Sequence, residues 1–407
     1  MRIKNLLREI TVTIHINLLS AQMIPNIIPI LAMKESVQKV YIVIAGSEFD
    51  SKSAHLKQFY YNNGIEDVKE FYCPDANDYY SLRHKAKELF DDIQALHPGQ
   101  QIILNATCGT KPMSFAFVRQ FDKPEDNCLA IYVASNSNQI IFLSDSDKLT
   151  NVDTRSVMTI NDYLYLNMFK LYQKTDMSCD DDVTYRAGIS KSILKLASDY
   201  PKLVSLVNHL AQESNFNHAS QFQPVVSLLM RPQGTVEELF NILKYADLIQ
   251  YTDTSITFNS PEVSRYLGGG WFEELIYLAA KEAQVEEVAL NVTGNLINRD
   301  GNESSVKNEL DVVLLHNNHM MIIEAKTANW ENQIKAGQEA MSKLDSLSQY
   351  YGGSDTKALI ATIYPLPDAV QQRVESMRHI SALRVETYEQ LVERFKDWKL
   401  QCSRKIG

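Results

Sequence analysis

Apolar runs alternate with helix-spaced stretches over the first 150 residues of the chain. TVTIHINLL, VYIVIAG, VKEFYC, QIILNAT and CLAIYVAS read as strands, and Leu82, Ala86, Leu89, Ile93 and Leu96 recur at helical spacing between the third and fourth. Alternating strands and helices predict a parallel, doubly wound sheet, in which ligands bind beyond the carboxyl ends of the strands. After about residue 150 this alternation fades, and TDMSCDDDVTYRAG reads as a polar connector. PKLVSLVNHLAQES and GTVEELFNILKYADLIQY then predict two helices, the second opening with Thr235 and Glu238 in capping-box spacing, before the strand-like SITFN. Glycines 268–270 break the chain, and a new helix is predicted from Trp271 with Phe272, Leu275, Ile276 and Ala279 on its apolar side. Glu273 sits beside that stripe and Glu274 further round it.

The segment NELDVVLLHNNHMMIIEAKT predicts a hairpin closed by Asn317-Asn318, which fixes its own register. His316 then opposes His319, Val313 opposes Ile322, Asp311 opposes Glu324 and Glu309 opposes Lys326. Period-two alternation puts all four charged residues on one face with Val313, Leu315, Met320 and Ile322. Directly opposed Cβ atoms lie roughly 4.5 to 5.5 Å apart, so Asp311 and Glu324 repel unless a cation joins them. One reading makes these solvated strand-end charges balanced by Lys326 and Glu309. The other makes them oxygen ligands of a hard divalent cation, with Lys326 beside it, for phosphodiester chemistry. His316 and His319, flanking the turn, read as solvent-facing polar residues.

Composition narrows the class. The chain has 407 residues, 45% hydrophobic and 22% charged, with a net charge of -10, which excludes a globally basic nucleic-acid coat but permits a local basic groove. Its five cysteines form no C-x-x-C pair, which argues for a reducing compartment and against a zinc site. The opening MRIKNLLREITVTIHINLL lacks the form of an export leader, and no stretch approaches the roughly 20 apolar residues of a bilayer span. The protein reads as cytoplasmic, with no membrane partner.

Two loops follow predicted strands of the first segment at their carboxyl ends. Ser20 and Gln22 lie after the first strand; Asn105, Thr107, Gly109, Thr110 and Lys111 lie after the fourth, where Pro112 suits the start of the next helix. Hydroxyls, one lysine and helix-start amides can cradle an anion, and the same residues can equally serve a plain strand-to-helix turn. The spacing is not that of a Walker P-loop.

W-x-E at Trp271–Glu273, N-E-L-D at Asn308–Asp311 and I-E-A-K at Ile323–Lys326 resemble the PD-(D/E)xK nuclease superfamily. L-x-S-x-Q-x-x-P-N from Leu18 and N-A-T-C-G-T-K-P-M from Asn105 resemble a CARF domain, the sensor of cyclic oligoadenylates in type III CRISPR immunity. With the winged-helix-like helices and hairpin between them, the chain resembles CARF-nuclease effectors activated by cyclic tetra-adenylate. The resemblance implies an α/β protein in three parts: a Rossmann-like CARF domain at residues 1–160, a winged-helix-like connector at 161–267 and a restriction-endonuclease-like α/β domain at 268–407. It implies a homodimeric, metal-dependent endonuclease of antiviral defence, acting on single-stranded DNA or RNA and nicking duplex DNA. Mg2+ or Mn2+ would be held by Asp311, Glu324 and the Ala325 carbonyl, with Lys326 positioning the attacking water, Glu273 as the helix acid and Glu309 in support. Ser20, Gln22, Asn105, Thr107, Gly109, Thr110 and Lys111 would hold the cyclic nucleotide. Two residues depart from the family pattern, Cys108 in place of a glycine and Leu310 in place of the proline, and the first ten residues extend beyond its usual start. A rival reading is a ligand-responsive DNA-binding regulator that keeps an inactive nuclease fold as a dimerisation platform.

Overall fold

β-branched and aromatic runs form the strands, and helices with one apolar stripe cover them. The structure, a computed structural model, describes residues 12–134, 139–143, 152–177, 181–216, 222–298, 301–330, 333–352 and 356–403. The extension at residues 1–10 and Cys179 lie outside the described residues; the other four cysteines are buried and unbridged. The chain divides into two compact units, Met1–Lys170 with Asn295–Val306 and Cys402–Gly407, and Leu171–Gly294 with Lys307–Gln401.

In the first unit the chain runs β1 (Thr13–Leu18), α1 (Ile24–Ala32), β2 (Val37–Ala45), α2 (Asp50–Asn62), β3 (Val68–Cys73), α3 (Tyr79–Leu96), β4 (Gln101–Asn105), α4 (Lys111–Phe121), β5 (Cys128–Ala134), β6 (Gln139–Phe142) and α5 (Ile160–Leu166). The sheet has the order β3-β2-β1-β4-β5-β6, parallel except for β6, which runs antiparallel to β5. This is the predicted Rossmann-like sheet, and its strand order reverses between β1 and β4, the point at which sheets of this kind bind ligands. Ile14, Ile16, Leu18, Val43 and Leu104 fill the core, with Leu82, Ala86, Leu89 and Ile93 of α3 buried on them. Leu96 departs from the predicted stripe: as the last residue of α3 it is exposed. Asp78 caps this helix by accepting from the Tyr80 and Ser81 N–H groups.

His15 is fully buried on β1, its Nε2 3.1 Å from Thr13 Oγ1 and its Nδ1 without a partner. Burial pushes its pKa from 6.5 down to about 3. The unfolded chain therefore takes up a proton that the folded unit refuses, and stability falls as pH drops below about 6.5 toward the folded value. We expect a loss of at most about 1.4 kcal/mol per pH unit in that window. Calorimetric melting at pH 7.5 and 5.5 should show a smaller acid-induced drop for His15→Gln than for the wild type; equal drops would contradict the assignment.

β7 (Phe169–Thr175) leads into α6 (Asp181–Asp199), α7 (Pro201–Phe216), β8 (Val225–Ser227), α8 (Thr235–Tyr245), β9 (Ile249–Tyr251), β10 (Ser255–Phe258) and α9 (Pro261–Arg265). β8, β10 and β9 make a small antiparallel sheet against these helices. The expected capping box does not form. Gly234, with φ +58°, occupies the cap position, no side chain caps the helix, and Thr235 is already its first residue.

After a kinked turn at Tyr266–Gly270 come α10 (Trp271–Glu282), β11 (Glu287–Ile297), β12 (Glu303–His316), β13 (His319–Lys326), α11 (Ile334–Gly352), β14 (Lys357–Thr362), α12 (Asp368–Ser376), β15 (Ile380–Arg384) and α13 (Tyr388–Ser403). The second six-stranded sheet has the order β15-β14-β13-β12-β11-β7. β12 and β13 form the predicted hairpin, paired in the predicted register from His316–His319 to Val312–Ile323. Asn317 and Asn318 take φ of +55° and +62°, as a primed two-residue turn requires. The turn is not solvent-facing as expected. Glu286 accepts from the Asn317 N–H (2.8 Å), His316 lies against Trp398, and burial holds both histidine pKa values below the ordinary range. The apolar positions predicted for α10 are all buried, and β14 and β15 extend the sheet parallel to β13.

Candidate functional site

The hairpin's regular pairing ends at Val312–Ile323, one step before the acids. There the Asp311 carboxylate accepts from the Ala325 N–H through Oδ2 (2.8 Å), which ties it to β13. Lys326 Nζ stands 3.3 Å from that same oxygen and 2.7 Å from Glu324 Oε1. The two acids are thus joined by one ammonium ion. This charge set is not a solvated strand end, because Glu324 is only 3% exposed and the Lys326 and Asp311 side chains are largely covered. Lys343 on α11 adds a more distant positive charge, 3.9 Å from Glu324 Oε1. The sequence reading missed it, since only the tertiary placement of α11 brings it near.

Burial, then Asp311, raises the Glu324 carboxyl pKa against the pull of Lys326 and Lys343. Burial opposes the charge on Lys326, but Asp311 and Glu324 outweigh it and raise the ammonium pKa. Lys326 therefore acts as a hydrogen-bond donor and local positive charge, and not as a free base. Glu273, in the first turn of α10, is pushed up to about 8 by burial and then by Asp311, partly countered by Lys326. Glu309 is exposed and adds to the negative potential at Glu273. The structure thus gathers Glu273, Asp311, Glu324 and Lys326, with Glu309 at the edge.

Glu273 opens onto a cleft of about 360 Å³ lined by Arg265, Gly268–Gly270, Leu290 and Asn291, among others. Gly269 holds φ +145°, a conformation that favours glycine. Glu274 lines the same cleft and is held by Arg186 of α6 in a two-pronged ion pair, both bonds 3.0 Å.

Among the described residues no three His, Cys, Asp or Glu side chains form a complete metal cage. The donor set nevertheless suits a hard cation. The bonds described engage Asp311 through Oδ2 and Glu324 through Oε1, which leaves the other oxygen of each carboxylate for an ion. Mg2+ characteristically takes one or two carboxylates and completes its shell with water and substrate phosphate.

At the carboxyl ends of β1 and β4 the candidate ligand residues fall into two groups. Asn105 is fully buried; its amide donates to Pro25 O (2.8 Å), and its Oδ1 accepts from the Thr107 N–H and hydroxyl. Thr107 Oγ1 in turn accepts from the Val133 N–H (2.7 Å). Thr110 caps α4 through the Met113 N–H and donates to Ala76 O. Gly109 has φ +82°, and a Cβ there would stand 3.0 Å from Leu18 Cβ. These four build the loop. Ser20, which folds its hydroxyl into a local turn with Gln22, is half-buried, while Gln22 and Lys111 are exposed. Cys108 turns inward, its thiol 3.4 Å from Gln22 O, and burial raises its pKa to about 11. It links the two loops.

A doubly wound sheet whose strand order reverses between its first and fourth strands, joined in one chain to an acid-and-lysine hairpin, defines a sensor–nuclease class. The family description "Card1 CARF domain" matches residues 14–163, and "Card1-like, endonuclease domain" matches residues 260–402. The chain belongs to the proteins that join a CARF domain to an endonuclease domain, and both of its domains are of the Card1 type. No curated protein sequence matches it. Among solved structures, protein VC1899 from Vibrio cholerae is 19% identical with a TM-score of 0.80, the match covering 96% of this chain and 98% of that one. Can2 from Sulfobacillus thermosulfidooxidans, in complex with cyclic tetra-adenylate, is 22% identical with a TM-score of 0.72, covering 96% and 97%. A type III CRISPR defence DNA nuclease activated by cyclic oligoadenylate is 15% identical with a TM-score of 0.54, covering 91% of this chain and 48% of that one. These likenesses are likenesses of fold. No helix among the described residues is long and apolar enough to cross a membrane.

Proposed function

We propose that this chain is a metal-dependent endonuclease of type III CRISPR defence, switched on by a cyclic oligoadenylate, with cyclic tetra-adenylate as the ring it accepts. The observation that carries this reading is the partly buried Lys326 ammonium between Asp311 and Glu324, beside the cleft of Glu273, in a chain with a CARF domain. Asp311, Glu324 and the Ala325 carbonyl would hold a divalent cation, which would supply Lewis acidity to a phosphodiester and lower the pKa of water. Lys326 orients the attacking water by donating to it, and the Ala325 N–H holds Asp311 in place. The substrates proposed are single-stranded DNA or RNA, with nicking of duplex DNA. A homodimer is proposed, in which a symmetric ring meets the loops carrying Ser20, Gln22 and Lys111 from both copies. Ligand control requires different affinities for the resting and active states, because equal affinity shifts nothing. A transcriptional regulator with a retired site would leave the buried, repelling acids without a purpose.

The test is cleavage of a labelled single strand in Mn2+, with and without cyclic tetra-adenylate. Cleavage that rises with the ligand supports the reading. Cleavage indifferent to the ligand defeats the sensor claim, and no cleavage in either condition defeats the nuclease claim.

A further inference from the structure

Lys326 is the last residue of β13, and its ladder partner on β14, Thr362, is the last residue there as well. A strand end is a poor place from which to hold an ammonium ion between two carboxylates, unless something fixes the residue that follows. That residue, Thr327, is nearly buried, and the connector helix α7 reaches it. Asn208 Nδ2 donates to the Thr327 hydroxyl at 2.9 Å and to its carbonyl at 3.2 Å. Gly269 closes over the same hydroxyl, since a Cβ there would lie 3.4 Å from Thr327 Oγ1.

Asn208 belongs to a polar seam on α7. Ser205, one turn earlier, bonds the Tyr364 hydroxyl just beyond β14 (3.1 Å), and Asn215, two turns later, donates to Ser264 on α9 (2.6 Å). The seam therefore grips the chain just past the carboxyl ends of two neighbouring strands, one of which carries Glu324 and Lys326. Asn208 Oδ1, by contrast, is buried with no partner, beside a void of about 10 Å³ walled by Val204, Leu239, Leu267 and Trp271, among others. A leucine would fill that space without an orphaned acceptor, which is costly to bury. The amide donors are what an asparagine adds here.

We infer that Asn208 is a positioning residue for cleavage: by holding Thr327 through backbone and side chain, it sets the end of β13 and so the place of the Lys326 ammonium between Asp311 and Glu324. The inference rests on the nuclease reading of that hairpin. It gives the winged-helix-like connector a part in the chemistry.

The experiment measures kcat and KM for a fluorescent single-stranded oligonucleotide in Mn2+ with cyclic tetra-adenylate, alongside thermal melting, for wild type, Asn208→Leu, Thr327→Val, Thr327→Ser and the Asn208→Leu/Thr327→Val pair. Asn208→Leu should lower kcat by about 10- to 100-fold with KM nearly unchanged, as loss of an outer supporting group does. Thr327→Val, which removes the shorter of the two bonds, should lose part of that rate. Thr327→Ser, which keeps both acceptors, should retain it. The double variant should be no worse than Asn208→Leu alone, because the two residues serve one contact. Wild-type kcat in Asn208→Leu, a change in KM alone, or losses that multiply would overturn the inference. Should Asn208→Leu fail to fold, the contrast between Thr327→Val and Thr327→Ser decides. A wild-type protein that does not cleave would sink the nuclease reading and this inference with it, whereas Asn208→Leu and Thr327→Val cleaving at the wild-type rate beside a cleaving wild type would sink the inference alone.

Discussion

Replacing Glu324 by glutamine is expected to lower metal-dependent cleavage about a thousandfold, since a Lewis-acid site contributes several kcal/mol to the transition state. The same variant should melt no lower than the wild type in EDTA. Glu324 is only 3% exposed, and burial with Asp311 raises its pKa above the unfolded value. Its ionised form therefore works against folding as pH rises through that range, and an amide of the same shape relieves the strain. A residue that weakens the resting protein yet is needed for turnover is the pattern of an active site built at some cost to stability.

Manganese separates this account from a structural one. A cation that binds only the folded protein stabilises it by about 2.7 kcal/mol at a hundred times its dissociation constant. Wild type should therefore gain melting temperature with added Mn2+, and Glu324→Gln should gain little. A variant that still cuts, or one that gains as much from Mn2+ as the wild type, removes Glu324 from the mechanism.

What could be read from the chain follows from how local its causes are. The hairpin register needed only a two-residue turn and alternation, and it holds from His316–His319 to Val312–Ile323. The five parallel strands announced themselves by apolar runs, whereas their order did not, because right-handed crossovers decide which face each helix covers and not which strands become neighbours. Illegible were the effects of neighbours distant in sequence. The turn histidines are covered because Glu286 and Trp398 arrive from other elements. Thr235 lost its capping role to a glycine with positive φ one residue earlier. Lys343 and Asn208 lie on helices whose sequences give no sign that they face the acids' strand. In the CARF loop, the part that Asn105 and Thr107 play in holding the loop together was likewise illegible, because their partners Pro25 and Val133 come from elsewhere in the chain.

That sorting leads to the second large effect, which concerns the proposed activator. With Asn105, Thr107, Gly109 and Thr110 engaged in building the loop, Lys111 is the exposed positive charge at the start of α4. Helix-start amides and a lysine together favour a phosphate. A hydrogen bond to a charged group contributes about 1.5–3 kcal/mol, so Lys111→Ala should raise the concentration of cyclic tetra-adenylate needed for half-activation by about 10- to 100-fold. The maximal rate at saturating ligand should survive, because the substitution changes affinity and not the chemistry of the hairpin. Thr107→Val, by contrast, takes one of two donors from Asn105 Oδ1 and the hydroxyl acceptor from the Val133 N–H, and should lower the melting temperature of the unit as well as its response. Titrating cleavage against ligand for both variants tests the division between a residue that meets the ring and one that shapes its seat. An unchanged half-activation point for Lys111→Ala would show that the ring's phosphates are held elsewhere.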